Sequence, residues 1–319
     1  MKPLRLIPDK TKIGFIRLRH FAYGLSGLGN LAAAIVFLTV GLNFGIDFRG
    51  GTLIQIATPQ AADLAQIRGV VSSLGLGDVA VQGFGKPNEV LIRIETQKAT
   101  AELDEEKAQQ AALAKAEGAL KAAIPEVEIL REEVVGPKVS GELVQAGILA
   151  VVISMIAMFA YIWFRFEWQF SVGAVVALVH DVFLTIGVFS VLQLEFNLQI
   201  IAALLTIVGY SMNDTVVVFD RVRENLRKYK KMPLEELIDL SVNDTLSRTI
   251  MTSGTTLIAL VALYAFGGEV IRGFTFAMIW GICVGTYSSI YVASPILLVL
   301  DVKRDWSSGD TKSAGVRLQ

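Results

Sequence analysis

Six long apolar runs dominate the hydropathy pattern of this 319-residue chain. They cover residues 21–42, 145–164, 170–192, 198–219, 249–267 and 273–300. Each is about as long as a helix that crosses the hydrocarbon core of a bilayer, which takes about 20 mostly apolar residues. Such runs can also be buried helices of a soluble protein, but six stretches almost free of charge are too many for that. The pattern therefore predicts six transmembrane helices.

The run at 21–42 follows a basic leader that contains Arg17 and Arg19, as the core of a secretory signal peptide would. Signal-peptide cores are shorter, at about 7–15 residues, and small residues follow them at the cleavage site. Here the small residues Ala32 and Ala34 lie inside the run. We therefore expect an uncleaved membrane anchor.

Lysine and arginine residues are concentrated on one side of the predicted helices. They occur in the leader at 1–20, in the loop at 220–248 and in the tail at 303–319, whereas the loop at 193–197 has none. Short basic loops remain in the cytoplasm. We therefore expect both termini there, with helices two to six inside 143–302.

The hydrophilic stretch at 43–142 then lies outside the cytoplasm, in the periplasm. Alternating apolar and polar positions predict strands, and runs rich in Ala, Glu, Lys and Gln predict helices. The expected elements are a strand at Thr52–Thr58, a helix at Pro59–Leu74, strands at 79–84 and 89–95, a helix at 100–123 and a strand at Glu126–Val135. Gly85, Pro87 and Asn88 are expected in the turn between the two middle strands. This βαββαβ order is typical of ferredoxin-like domains.

The predicted fold class is thus a polytopic α-helical membrane protein. It has six transmembrane helices and one ferredoxin-like extracytoplasmic domain between helices one and two. In the loop at 220–248, the basic run Arg221–Lys231 precedes apolar residues at helical spacing between Leu234 and Val242. An interfacial helix on the cytoplasmic leaflet is expected there. The alternative is a positive-inside anchor with a solvated face.

Composition narrows the function. Apolar residues make up 53% and charged residues 18% of the chain, against about 45–50% and about 25% in soluble domains. The net charge of −1 argues against nucleic-acid binding, which needs a basic surface. One cysteine, Cys283, and two histidines exclude cysteine-based and histidine-rich metal sites. No phosphate-loop, HExxH or CxxC motif occurs. We expect no enzyme, no metal and no cofactor, and an ion gradient as the energy source.

Three ionisable side chains lie inside the apolar runs: His180, Asp181 and Asp214. An ionisable group inside a bilayer costs at least about 2.5–3.5 kcal/mol on insertion scales, and it usually marks a proton or ion pathway. A capping or packing role is the alternative for Asp214. The neighbours His180 and Asp181 could equally hydrogen-bond another helix. They need not both face one site, since adjacent residues point about 100° apart on a helix.

Depth indicates a partner for Asp214. It precedes Arg221 by seven residues, which places it roughly 10 Å inside the cytoplasmic boundary. Arg248, at the start of span five, could reach inward toward it. A carboxyl group in a low dielectric favours its neutral form and a nearby guanidinium favours the charged form. If the distance between Asp214 and Arg248 changes with conformation, the proton affinity of Asp214 changes with it. Such a change would couple proton binding to movement of the helices.

Small and polar residues recur four apart on several predicted helices, as close packing requires. These stripes are Gly173, Ala177, Asp181 and Thr185 in span three, Ala202, Thr206, Tyr210 and Asp214 in span four, Arg248, Thr252 and Thr256 in span five, and Gly281, Gly285, Ser289 and Ala293 in span six. We expect the first three stripes to surround a polar interior and the last to form a helix interface.

A series of motifs resembles one known family. The motifs are Phe44–Thr52 (FGIDFRGGT), Val135–Gly141 (VGPKVSG), Phe164–Trp168 (FRFEW), Ala177–Val182 (ALVHDV), Gly209–Arg223 (GYSMNDTVVVFDRVR), Ser253–Thr256 (SGTT) and Ser289–Ser294 (SIYVAS). In this order they resemble the SecD/SecF family of the resistance-nodulation-division superfamily, over about 20–300. The single outer domain is similar to the SecF branch, because SecD members usually carry a much larger outer region.

The resemblance implies a multi-pass protein of the bacterial plasma (inner) membrane that works with SecD and YajC beside the SecYEG channel. The family uses the proton-motive force to help draw preproteins across after the ATP-driven step of SecA. In that family an aspartate in span four and an arginine in span five support proton flow. They match Asp214 and Arg248, with Asn213 beside the aspartate. His180 and Asp181 match the family pattern without an implied role.

Two other functions remain compatible with the residues. One is a proton-driven exporter of small molecules or lipids, which a substrate cavity and a second six-span repeat would favour. The other is a non-transporting scaffold of a membrane complex, which predicts that Asp214 and Arg248 tolerate neutral substitution.

Overall fold

The computed structural model describes residues 11–97 and 104–302. The helices are α1 (Arg19–Thr39), α2 (Ile46–Arg49), α3 (Leu64–Ser72), α4 (Glu105–Ala123), α5 (Pro137–Arg165), α6 (Trp168–Leu192), α7 (Leu198–Lys228), α8 (Leu234–Phe266), α9 (Arg272–Ser288) and α10 (Ser294–Val299). The strands are β1 (Asn43–Phe44), β2 (Gly51–Ala57), β3 (Val79–Phe84), β4 (Lys86–Ile94), β5 (Glu128–Val135) and β6 (Glu195–Phe196). A π-helical turn at Ser289–Ala293 joins α9 to α10. The expected tail at 303–319 and the first residues of the helix expected at 100–123 lie outside the described residues.

Six segments of the described chain are long and apolar enough to cross a membrane, which confirms the six predicted helices. They comprise α1, α5, α6, α7, α8 and the continuous segment from Glu269 to Val299. About half or more of the apolar window is buried in α6 (50%), α7 (50%) and the last segment (61%), against 11% or less in α1, α5 and α8. Three helices therefore form the centre of the bundle and three form its periphery.

Between α1 and α5, four antiparallel strands form one sheet in the order β3-β4-β2-β5. With α3 and α4 this is the predicted ferredoxin-like arrangement. Helix α3 begins at Leu64 rather than at Pro59, because the Asp63 carboxylate caps it by accepting the N–H groups of Ala65 and Gln66 at 2.9 and 3.1 Å. Side chains of this type satisfy the free N–H groups of a first helical turn.

The turn between the two middle strands is shorter than expected. Strand β4 already starts at Lys86, so Pro87 and Asn88 belong to the strand rather than to the turn. Gly85 makes the reversal alone, with φ +76°, a conformation that glycine adopts without the strain of a Cβ.

The sheet has one closed face and one face toward the membrane bundle. Helices α3 and α4 cover the first face, where a cluster of apolar side chains is buried, including Ile54, Ile92 and Leu120. The other face carries Leu53 and Leu91. It borders a cavity of about 510 Å³ whose far wall comes from the loops and helix ends of the bundle.

The prediction of an interfacial helix between Leu234 and Val242 is wrong. Helix α7 continues to Lys228 and α8 starts at Leu234, so the expected loop at 220–248 shrinks to 229–233. The apolar face of this stretch is buried within the protein, with Ile238 0% exposed. The leader covers it, and the backbone N–H of Ile16 donates to Asp239 Oδ1 at 2.9 Å. Protein, rather than the leaflet, buries this face.

The last span packs on the rest of the bundle through its small residues, as the spacing predicts. A side chain at Gly281 would collide with Ile207 of α7, and one at Gly285 would lie 3.0 Å from Ser211. The carbonyl of Ala293 lies 3.1 Å from the position of a Cβ at Gly173 on α6. Backbones approach this closely only where side chains are small.

Candidate functional site

Asp181 lies at the centre of a hydrogen-bonded cluster in the bundle. It is 0% exposed, on the face of α6 that packs against α7 and α9. Its Oδ1 lies 2.9 Å from Nδ1 of His180. Its Oδ2 accepts hydrogen bonds from the hydroxyls of Ser211 at 2.6 Å and Ser288 at 2.8 Å. Three helices therefore meet at this one carboxylate.

His180 extends the cluster toward the first span. Its Nε2 lies 3.1 Å from the hydroxyl of Ser26 on α1. That hydroxyl lies 3.1 Å from the hydroxyl of Tyr287, which donates to the carbonyl of Ala22 at 3.1 Å. His180 thus has a carboxylate at one ring nitrogen and a hydroxyl at the other. The hydroxyls of Ser26 and Tyr287 can each donate or accept a hydrogen bond.

Asp214 is a second buried carboxylate, one helical turn after Ser211 on α7. Its side chain is 7% exposed. Oδ1 accepts a hydrogen bond from the hydroxyl of Thr249 at 2.5 Å, and Oδ2 accepts one from Ser289 at 2.6 Å. Two hydroxyls, from α8 and from the π-helical turn, therefore hold this group inside the bundle.

Arg248 does not bind Asp214 directly in this structure. The residue is exposed, and in the described chain no ion pair within 4.0 Å joins it to the carboxylate, although it lies within electrostatic range. Its neighbour Thr249 faces the carboxylate instead. Asn213 is also exposed. The structure thus brings together His180, Asp181 and Asp214, and leaves Asn213 and Arg248 on the outer surface.

The predicted polar stripes are only partly internal. All four members of the stripe on α6, from Gly173 to Thr185, are buried. On α7, Ala202 and Thr206 are exposed, and on α8 so is Thr252. The expectation that three stripes surround the interior is therefore wrong for spans four and five, where other faces of the helices point inward.

Hydroxyl side chains are the part of the site that the residue pattern did not reveal. Ser26, Ser211, Thr249, Ser288 and Ser289 supply these contacts. Serine and threonine are common in transmembrane helices, and their contacts here join residues 30 to 154 positions apart. Two of them lie in patterns that the sequence shows: Ser211 in the motif GYSMND, and Ser289 both in SIYVAS and in the small-residue stripe of span six.

The arrangement suits reversible protonation. A hydroxyl can donate to a charged carboxylate, or accept from a neutral carboxylic acid, without changing place. Both protonation states of Asp214 and Asp181 can therefore be hydrogen-bonded. Among residues 11–97 and 104–302, no group of three or more His, Cys, Asp or Glu side chains is arranged to hold a metal ion.

Comparison with known proteins gives the family. The chain matches the family model "Protein export membrane protein SecD/SecF, C-terminal" over residues 115–303 and the "SecD/SecF GG Motif" over residues 35–61. It is 50% identical to the protein translocase subunit SecF of Cereibacter sphaeroides, over 97% of this chain and 96% of that protein. It is 43% identical to the protein translocase subunit SecDF of Brucella abortus, over 98% of this chain and 40% of that protein.

A solved structure agrees with these matches. The crystal structure of SecDF from Thermus thermophilus, a translocon-associated membrane protein, superposes with a TM-score of 0.81 at 35% identity. The match covers 94% of this chain and 40% of the solved chain, so the chain spans less than half the length of that protein. Motifs, fold and relatives agree, and the chain belongs to the SecD/SecF family of protein-export membrane proteins, with SecF subunits as its full-length relatives.

Proposed function

We propose that this SecF-type subunit works with SecD to use the proton-motive force for preprotein translocation through SecYEG, after the ATP-driven step of SecA. Asp214 carries the proton within the membrane. The observation that carries the proposal is the environment of this acid: it is buried at 7% exposure, and its hydrogen-bond partners are the two hydroxyls of Thr249 and Ser289.

A proton bound at Asp214 changes forces within the bundle. Deprotonation puts a charge into the low-dielectric interior, where its electrostatic interactions are strong. One charge that crosses 100 mV releases about 2.3 kcal/mol, which is enough to shift an equilibrium between two helix arrangements of similar stability. Arg248, one residue from Thr249, is the charge partner that approaches Asp214 in a second arrangement.

SecD supplies the missing surroundings of this site. Asn213, Thr252 and Arg248 are exposed on neighbouring helices, although polar side chains are costly in contact with lipid. A partner bundle that covers them removes this cost. The SecDF relatives have additional chain that could form such a bundle, since this protein corresponds to only 40% of their length.

The remaining parts of the proposal concern location and partners. The protein lies in the bacterial inner membrane with both termini in the cytoplasm, as the basic loops indicate, and the sheet domain lies in the periplasm. It acts as a transport subunit rather than an enzyme, beside SecYEG and YajC, and the translocating preprotein is its cargo.

Replacement of the proton-carrying group tests the proposal. In vesicles with SecD and SecYEG, Asp214→Asn keeps the shape and both hydroxyl contacts but cannot release a proton, so gradient-driven export is expected to fall to the level without a gradient. Asp220→Asn is the matched control, because Asp220 lies on the same helix at 47% side-chain exposure. Undiminished gradient dependence in Asp214→Asn would contradict the proposal and favour the scaffold.

A further inference from the structure

Two consecutive residues of the last span bind two different acids. Ser288 donates to Asp181 of α6 at 2.8 Å, and Ser289 donates to Asp214 of α7 at 2.6 Å. Adjacent residues on a helix point about 100° apart, which lets one piece of backbone reach two neighbouring helices. The positions of the two hydroxyls are therefore fixed relative to each other.

A second connection runs through α7. This helix carries Asp214 and, one turn earlier, Ser211, whose hydroxyl donates to Asp181 at 2.6 Å. The two acids are thus joined twice, once through the backbone of α7 and once through the Ser288–Ser289 peptide. The result is a closed ring of hydrogen bonds and backbone that contains both carboxylates.

The backbone at these serines is special. The π-helical turn starts at Ser289, and the carbonyl of Ser289 accepts both the backbone N–H and, at 2.7 Å, the hydroxyl of Ser294. Pro295 lacks the N–H that an α-helical continuation would donate to Tyr291. Single π-helical turns inside α-helices occur frequently at functional sites. Sequence and hydrogen bonding together hold the two serines in this geometry.

Each serine hydroxyl has a second acceptor on its own helix. Ser288 also lies 3.1 Å from the carbonyl of Gly285, and Ser289 lies 3.0 Å from that of Thr286. A hydroxyl has one proton to donate. When a carboxylate becomes neutral, its serine can turn the proton to the carbonyl and accept from the acid, which changes the polarity of the shared backbone segment.

We propose that Ser288 and Ser289 are positioning residues that link the protonation of Asp214 to that of Asp181, so that the two acids operate as one proton-binding unit. This inference deepens the proposed function and rests on Asp214 as proton carrier. The other titratable or charged groups around the unit are His180 beside Asp181, Tyr287 linked to His180 through Ser26, and the exposed Arg248 near Asp214.

The test measures the protonation of Asp214 while Ser288, a hydrogen-bond partner of Asp181, is replaced. The full chain is placed in lipid nanodiscs, and the protonation of Asp214 is followed against pH by difference infrared spectroscopy of its carboxyl band, assigned by its loss in Asp214→Asn. Ser288→Ala removes a hydroxyl that contacts only Asp181 among the two acids. We expect it to shift the titration midpoint of Asp214 by about one pH unit, the level at which two sites titrate as a pair.

Three further single variants and one double variant make the result decisive. Ser288→Thr keeps the hydroxyl and is expected to restore the midpoint, and Ser253→Ala, which removes a hydroxyl bound to Thr286 at 2.8 Å, is expected to leave it unchanged. Asp181→Asn should shift the midpoint more in the normal background than in Ser288→Ala, where only the connection through Ser211 remains. An unchanged midpoint in Ser288→Ala, or an Asp181→Asn shift of equal size in both backgrounds, would overturn the link. Export measured with Asp214→Asn reports on the proposed function separately, so the two can fail independently.

Discussion

The domain of the four-stranded sheet with α3 and α4, called the outer domain after its predicted location, has an interior built from different residues than the membrane bundle. Under the sheet, apolar side chains fill the cluster covered by α3 and α4, and the fully buried polar pair beside it, Gln109 and Thr52, is uncharged and bonds at 2.6 Å. In the bundle, apolar side chains surround two buried acids, Asp181 and Asp214, and a buried histidine, His180.

The difference follows from the solvent on the outside. In water, burial of apolar surface drives folding at about 25 cal/mol per Å². In lipid the helices gain little from that exchange, and close approach of small residues together with interhelical hydrogen bonds holds them together. The outer domain therefore owes its stability mainly to buried apolar side chains, whereas the bundle is also held by hydrogen bonds between its helices.

Removal of an apolar group from the outer domain should have the largest effect on stability. Ile92 is 0% exposed in the centre of the cluster, and Ile→Ala changes at such sites cost about 2–5 kcal/mol. We expect Ile92→Ala to raise hydrogen exchange across the sheet without a change in the bundle. Leu130→Ala, at a position that is 45% exposed on the same sheet, should have little effect. Equal loss of protection in the transmembrane helices would show that the two regions do not fold separately.

An added methyl group in the bundle should have a smaller effect. A Cβ at Gly281 would meet the side chain of Ile207, and overpacking of this kind costs about 1–3 kcal/mol. Gly281→Ala is expected to lower the thermal midpoint of the detergent-solubilised protein by loosening α9 from α7. Gly209→Ala on α7 is the control, since nothing lies within 4 Å of its added methyl group. If both variants behave alike, close approach at Gly281 does not hold the bundle together.

Local patterns predicted most of the fold. Six apolar runs and the alternation in the outer domain recovered the spans and the four main strands, because periodicity is set by residues close in sequence. The pairing of β1 with β6 escaped prediction, since strands of two residues at Asn43–Phe44 and Glu195–Phe196 carry no periodicity. The buried face at Ile238 was assigned to the leaflet because the sequence does not show which surface covers an amphipathic helix.

Residue counting identifies which acid lies within a span, but not which side chain of the next helix faces it. Counting residues from Arg221 placed Asp214 inside the span, and it is buried. The position of Arg248 at the start of span five suggests that it reaches inward toward the acid, but helix α8 presents Thr249 to the acid and leaves Arg248 exposed. One residue along a helix is a rotation of about 100°, and rotation is set by packing against other helices, which a single sequence does not encode locally.

The two regions meet at an ion pair whose contribution should be the smallest of these effects. Nη2 of Arg93 in β4 lies 3.4 Å from Oε2 of Glu195 in β6, with side chains 15% and 25% exposed. Beside it, Asp47 Oδ2 accepts the backbone N–H of Leu198, the first residue of α7, at 2.8 Å. The helix that carries Asp214 therefore starts at the contact with the outer domain.

A double-mutant cycle measures this junction. Arg93→Ala, Glu195→Ala and the double variant are expected to give a coupling energy of about 0.2–1 kcal/mol, the usual range for ion pairs near the surface, and the coupling should fall as salt screens the charges. Hydrogen exchange at the N–H of Gly45, which donates to the carbonyl of Phe196 at 2.9 Å, reports on the junction itself. Faster exchange there in both single variants, with the sheet core unchanged, would show that the ion pair stabilises the junction without affecting the sheet core. A coupling energy of zero with unchanged exchange would mean that other contacts, such as that of Asp47 and the β1–β6 pairing, make the connection, and that the outer domain transmits no force through Arg93.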